Sequence, residues 1–200
     1  MVAIACARHG CFAPNSVADL YRGEQQKNVN WAFLQALATT AVDPGQKALL
    51  IYDIACQYFV HFYERVGHLL PEGLAVDRAI GLFHVHDHKE ECFFRFATSF
   101  IPGAGVVAGE ILESLWANLN TISPTVRTAT LAHRAEMLDD HCSDSNFKKL
   151  LGMGEFAFHL VPSISPCRAV LSAVSSAVIK AVASAVEKAV TSAVNIAVPL

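Results

Sequence analysis

The chain has 200 residues, 53% of them hydrophobic, a mean hydropathy of +0.36 and a formal net charge of −3. That length suits one ordinary domain with a substantial core. Residues 1–160 carry 12 Lys and Arg against 17 Asp and Glu, a balance near −5 that excludes a broad basic surface for nucleic acid in this part. The opening residues, MVAIACARHG, lack a basic n-region and a long apolar core, so they do not read as a signal peptide. Val2–Ala7 is strand-like and runs straight into Cys6-x-x-His9-x-Cys11, which suggests a chain that starts inside a domain. After the turn Pro14-Asn15, Val17–Leu20 reads as a short strand, and Asn30–Thr40, with Trp31, Phe33, Leu34 and Leu37, has helical spacing. The Pro44-Gly45 turn leads into Lys47–Gln57, KALLIYDIACQ, the stretch around which the rest is organised. Its unbroken apolar run, Ala48–Tyr52, predicts a strand buried on both faces. Asp53 stands at the strand exit, before a helical pattern from Ile54 to about His68. On spacing alone Asp53 reads first as the cap of that helix, although α/β folds often place chemistry at such an exit.

Leu69–Ala75 is a loop, and Ile80–Val85 is a second short apolar run with the character of a strand. HVHDHKEEC, FFRFATSF and the Gly-rich IPGAGVVAG follow, then the strongly helical GEILESLWANLN. A turn at Ser123-Pro124 precedes two helical segments, Arg127–Leu138 and DDHCSDSNFKKLL. From Ser163 the composition shifts. Ala-Val pairs begin at 169, 173, 177, 181, 185, 189, 193 and 197, a strict four-residue repeat. The domain is therefore expected over residues 1–160, with a repeat tail over 161–200. Ala favours a helix from about Ser165 to Ala197, although every repeat Val also falls on an even position, as a strand face requires. Each repeat advances about 40° beyond a full turn, so a helical stripe winds round the cylinder and the tail is expected to project from the domain. Lys180, Glu187 and Lys188 interrupt it, leaving no continuous apolar span of about 18 residues for a membrane.

Three stretches could carry chemistry. Glu110 and Glu113 lie three apart and would share one side of a helix. They suit the dipole at a helix start, or one of them could join Asp53 in holding a divalent metal such as Mg²⁺, a donor set that suits phosphoryl transfer. In the second stretch, His84, His86 and His88 would face one way on a strand, with Cys92 just beyond. With Cys6, His9 and Cys11 they could form a zinc site, or the segment, with Asp87, Glu90 and Glu91, is a solvated loop. The six cysteines, Cys6, Cys11, Cys56, Cys92, Cys142 and Cys167, read as reduced thiols, some of them candidate metal ligands. The third stretch, His133 with Asp139, Asp140 and His141, reads as a solvated helical face. The sequence holds no phosphate loop, dinucleotide fingerprint, serine elbow or His-Glu-x-x-His motif.

Taken together, CARHGC–PN–DL–GE, YDIACQ, GLFHVHDHKEEC, FIPGAG–GEILESLW–LN and HRAEMLDDH–SDSNFKKL resemble the catalytic region of the fungal Kyakuja-Dileera-Zisupton transposases, from about Ile4 to about Met153. The resemblance implies an RNase H-like α/β core with a largely helical C-terminal half, nuclear location, and DNA as partner. It also implies a DDE mechanism in which three acids and Mg²⁺ cut and join phosphodiesters. By motif Asp53 matches the second acid and Glu110 or Glu113 the third, so their side chains are expected to converge. The family's first acid lies upstream of the cysteine-histidine stretch, so the resemblance implies a fragment inactive alone. Ala108-Gly109-Glu110 stands where the family tends to show Asp-Gly-Glu. The competing reading is a non-enzymatic, zinc-stabilised interaction module derived from a transposon.

Overall fold

The computed structural model describes residues 1–160 apart from 41 and 106, and of residues 154–160 the backbone alone. The Ala-Val tract and Cys167, with the helix expected there, lie outside the described residues. The chain forms two compact units, Met1–Phe147 and Lys148–Leu200. The described part of the second is the C-terminal half of one helix, α7, Leu131–Leu160. The sheet and both hydrophobic cores belong to the first unit.

Two short strands form a parallel pair, β1 (Ala48–Ile51) and β2 (Val76–Ala79), in the register Ala48↔Val76 to Ile51↔Ala79. Parallel neighbours need a long crossover, and residues 52–75 supply it. This makes the unit mixed α/β, with the two-stranded sheet as the sheet of the described residues. β1 was expected to be buried on both faces; only Leu50 is fully buried, and Ala48, Leu49 and Ile51 are half-buried. The expected strand over Ile80–Val85 sits earlier in the chain. β2 has two buried residues, Val76 and Ala79, flanking the polar pair Asp77-Arg78, so it lacks the apolar run that marks a buried strand. Past it, Ile80 makes one further parallel bridge to Ala97, and the chain then coils into a 3₁₀ turn, His84–Asp87.

The crossover is helical but not one helix. α2 (Ala55–Tyr58), a 3₁₀ turn (Phe59–His61) and α3 (Phe62–Val66) follow one another. Its residues are largely aromatic and β-branched, which resist a regular helix. In 3₁₀ geometry side chains three apart eclipse, and here Phe59 and Phe62 stack with centroids 4.4 Å apart. Tyr58 and Phe62, both with 0% exposure, sit at the centre of the main core with Phe33, Leu50, Val66, Val76 and Ile80. The Tyr63 hydroxyl donates to the Val76 carbonyl (2.9 Å) and accepts from its N–H (3.2 Å), closing off the free edge of β2.

Helix α1 (Gln26–Thr39) buries Val29, Ala32, Phe33, Ala36 and Leu37, a stripe at helical spacing that faces this core. The N-terminal residues pair more loosely than a strand would. Val2 bridges Ala18 and Ala5 bridges Phe12, with the buried Ser16 hydroxyl bonded to the Ile4 and Ala13 carbonyls inside the loop. Helix α4 (Glu90–Phe96) follows the 3₁₀ turn. Helix α5 (Ile111–Leu119), a short α6 (Ser123–Val126) and α7 then run on, the two helical segments expected after residue 127 being one helix. A second core, Ala3, Phe12, Leu115 and Cys142, packs with Trp116 and joins the N-terminal loop to α5 and α7. Asn146 pins it by accepting from the Phe12 N–H (2.7 Å) and donating to its carbonyl (2.9 Å). Among the described residues no helix is long and apolar enough to cross a membrane.

Candidate metal centre

Parallel strands leave the sheet at the same edge. Asp53 therefore exits β1 beside Gly81, which follows β2, and the Tyr52 N–H donates to the Ala79 carbonyl (3.0 Å) to hold them in step. The segment ahead of α5 runs along the same edge, where the Leu82 N–H donates to the Ala108 carbonyl (2.8 Å). Gly109 makes that approach possible: its φ is +84°, and a Cβ there would lie 2.9 Å from the Gly81 Cα and 3.0 Å from Ile51 Cγ2. Glu110 is the N-cap of α5 and makes no side-chain cap bond. Its carboxylate turns instead to accept the Phe83 N–H (3.0 Å), over Gly81, where a Cβ would fall 2.3 Å from Oε1. Asp53 does not cap α2 either; the cap is Ile54, with no side-chain bond.

Three carboxylates thus meet one imidazole. His84 Nε2 lies 3.7 Å from Asp53, 3.4 Å from Glu110 and 3.4 Å from Glu113. One nitrogen can donate to only one of them, so the arrangement is an imidazole set in an acidic cradle. Burial disfavours the imidazolium, but the Asp53 charge, the Glu113 hydrogen bond and the Glu110 charge outweigh it and raise the His84 pKa. Desolvation, with the Glu113 and Glu24 charges, raises the Asp53 carboxyl against the pull of His84. Glu24 takes part because the Tyr52 hydroxyl donates to it. Burial and that bond push the Tyr52 phenol well up.

Four residues beyond His84 the same turn serves a different cluster. Cys56, His88 and Cys92, all half-buried, bring Sγ, a ring nitrogen and Sγ within 4.8 Å of one another. His88 Nδ1 stands 3.4 Å from Cys56 Sγ. Burial, then the neighbouring Cys92 thiol, raises the Cys56 pKa.

A family model described as Kyakuja-Dileera-Zisupton transposase matches residues 1–146. The chain belongs to the KDZ transposase family. No curated protein and no solved structure matches it.

In this KDZ domain the expected histidine set divides. A 3₁₀ turn replaces the strand on which His84, His86 and His88 would have shared a face. His84 enters the acid cradle, His88 joins the thiols, and His86 lies exposed against the Phe93 ring at 5.2 Å. Among the described residues neither metal-ligand group includes Cys6, His9 or Cys11; Cys6 Sγ contacts His9 Nδ1 at 3.4 Å within their own loop. Sequence reasoning missed Glu24 and Cys56. Cys56 sits one turn past Asp53 in YDIACQ, and its signal was the approach of that motif to HKEEC, which spacing within one segment does not reveal. His133 pairs with Glu136 (3.6 Å) on the exposed face of α7.

Proposed function

We propose that this chain is a transposase-derived phosphoryl-transfer domain in which Asp53, Glu110 and Glu113 hold a divalent metal ion of the Mg²⁺ class against DNA. The small parallel sheet, with an acid at a strand exit and glutamates at a helix start on the same edge, is the reading's RNase H-like element. The observation that carries it is the convergence of the three carboxylates on His84 Nε2. The donor set fits such an ion: hard oxygens, part-exposed so that waters are retained, whose negative charge raises His84 against its own burial. A bound ion would polarise a phosphodiester and the water or hydroxyl attacking it. Glu110 is the fixed donor, because the Phe83 N–H and the Gly81 backbone leave it one free oxygen. Glu113, with 52% of its side chain exposed, and Asp53, with 57%, are the donors open to solvent and substrate.

Glu110, Glu113 and His84 bring their ligand atoms within 4.8 Å of one another, with Asp53 3.7 Å from the same His84 nitrogen, a single focus, whereas paired catalytic ions sit roughly 3.5–4 Å apart. One ion is therefore expected, and DNA cleavage by these residues alone should be slow. The balance near −5 over residues 1–160 gives little affinity for a polyanion without the metal. A nuclear place of action follows from the DNA substrate. The test is Mn²⁺ titration of the full chain by calorimetry, beside nicking of supercoiled plasmid. One site per chain, lost in Asp53→Asn with Glu113→Gln, supports the reading. Absence of any Mn²⁺ binding refutes it, and rapid nicking abolished by Asp53→Ala refutes the one-ion limit.

A further inference from the structure

We propose that Cys56, His88 and Cys92 bind one zinc ion, which fastens the exit of β1 to the turn after β2. The site is distinct from the carboxylate cradle and does not depend on its function. Thiolate sulfur with imidazole nitrogen is a soft donor set that selects zinc over magnesium. Zinc bonds of about 2.3 Å to sulfur and about 2.0–2.1 Å to nitrogen give a tetrahedron whose S···N edge is roughly 3.6 Å and whose S···S edge is roughly 3.8 Å. The observed Cys56 Sγ to His88 Nδ1 distance is 3.4 Å, and the three donor atoms lie within 4.8 Å of one another. Small side-chain rotations then suffice to close the site. The donors come from three places in the chain, α2, the residue after the 3₁₀ turn, and α4, so the cluster is a product of folding and not of local sequence. Among the described residues no fourth Cys or His joins them. Cys56 and Cys92 also border, with Glu91, a cleft of about 450 Å³, which has room for a water as fourth ligand.

The location gives the ion a task. Cys56 follows Asp53 by three residues and His88 follows His84 by four. An ion bridging Cys56 and His88 ties together the two backbone segments that carry Asp53 and His84. It would hold the cradle's geometry without touching a substrate.

The experiment uses the full chain purified under reducing conditions, with zinc counted by elemental analysis and then replaced by Co²⁺. The expected result is one ion per chain and a near-ultraviolet thiolate-to-cobalt band. That band should fall by about half in Cys56→Ser and in Cys92→Ser, and persist unchanged in Cys6→Ser. His88→Cys, which keeps a ligand and so a fold, should retain the ion and strengthen the band. The carboxylate cradle contributes nothing to a thiolate band, so this readout stands even if Mn²⁺ binding at the acids fails. Sub-stoichiometric metal in the folded wild type, or a band lost in Cys6→Ser and kept in Cys56→Ser, would each overturn the proposal.

Discussion

Gly81→Ala separates the fold from the acid cradle. Gly81 is not in the left-handed region, so Ala is backbone-compatible there. Its Cβ would fall 2.3 Å from Glu110 Oε1 and 3.0 Å from Cδ, and both atoms belong to the far end of a flexible side chain. The carboxylate will swing away at little cost to the main chain. What is lost is the Phe83 N–H to Glu110 bond, worth about 1 kcal/mol at this exposed position. What is gained is roughly 0.4–1 kcal/mol from a stiffer unfolded chain. Stability should change by less than about 1 kcal/mol, or a few degrees in Tm. Metal affinity is another matter, since one of three carboxylates leaves the cradle, and a drop of at least about tenfold, 1.4 kcal/mol, is expected. Gly109→Ala is the contrast. There φ is +84° and the new Cβ meets backbone at 2.9 Å, so the fold itself should lose about 2 kcal/mol or more. Thermal melts by circular dichroism and Mn²⁺ calorimetry on both variants decide it. A Gly81→Ala protein that melts normally and binds Mn²⁺ as tightly as wild type would show that Glu110 is no ligand.

Three further outcomes concern stability. The Arg134 guanidinium holds the Asp19 carboxyl below its ordinary value through two 2.9 Å bonds, so the pair's contribution, about 1 kcal/mol for side chains a quarter to a third exposed, is present above about pH 4 and fades as the pH falls through the lowered pKa. Urea melts of Arg134→Met should thus differ from wild type at pH 7 and approach it near pH 3; an equal gap at both would refute the linkage. Tyr58→Phe removes a hydroxyl that donates to Asn30 Oδ1 at 2.6 Å and should cost about 1–2 kcal/mol while keeping the Arg65 contact with the ring. In the wild type the buried Tyr58 phenol, pushed up to about 12, should stay protonated in alkaline ultraviolet titrations until that range. Leu115→Ala, at 2% exposure in the second core, should lower the urea midpoint by the equivalent of about 2–5 kcal/mol with little change in slope; a loss under about 1 kcal/mol would mean that α5 is loosely packed.

The elements that were legible are those whose pattern is local. α1 and α5 show in helical spacing, and β1 shows in an apolar run that follows a Pro-Gly turn. The approach of Asp53 to Glu110 and Glu113 was legible only through motif order, because no spacing within either segment specifies it. β2 was hidden because only Val76 and Ala79, which point to opposite faces of the strand, are buried, leaving two polar residues in a four-residue strand. The stretch after it looked like a strand since Ile80, Leu82 and Val85 are apolar. Yet Gly81 lies against Gly109, and the Val85 N–H donates to the Gly81 carbonyl (2.9 Å), which turns the chain into a coil. That one departure redistributed the histidines: a strand would have sent 84, 86 and 88 to one side, whereas the turn sends 84 and 88 to two clusters.

The two clusters share their supports, and that makes their independence testable. Asp53 and Cys56 sit about one helical turn apart, as do His84 and His88, so moving either segment moves a member of each cluster. Suppose zinc at Cys56, His88 and Cys92 fixes the segments. Removing it should then weaken Mn²⁺ at Asp53, Glu110 and Glu113, although no thiol approaches the carboxylates. A cycle of wild type, Cys92→Ser, Glu113→Gln and the double variant measures this, with Mn²⁺ affinity read by calorimetry. Cys92 belongs to α4 and lies in neither segment, so the thiol cluster is the shortest route by which its replacement can reach the acids. Sites that share a backbone element couple by about 0.5–3 kcal/mol, whereas independent ones add to within about 0.3–0.5 kcal/mol. A Mn²⁺ affinity unchanged by Cys92→Ser would leave zinc as a staple for α4 alone. A several-fold loss that shrinks when Glu113 is already replaced would make the cysteine cluster the frame on which the acids are mounted.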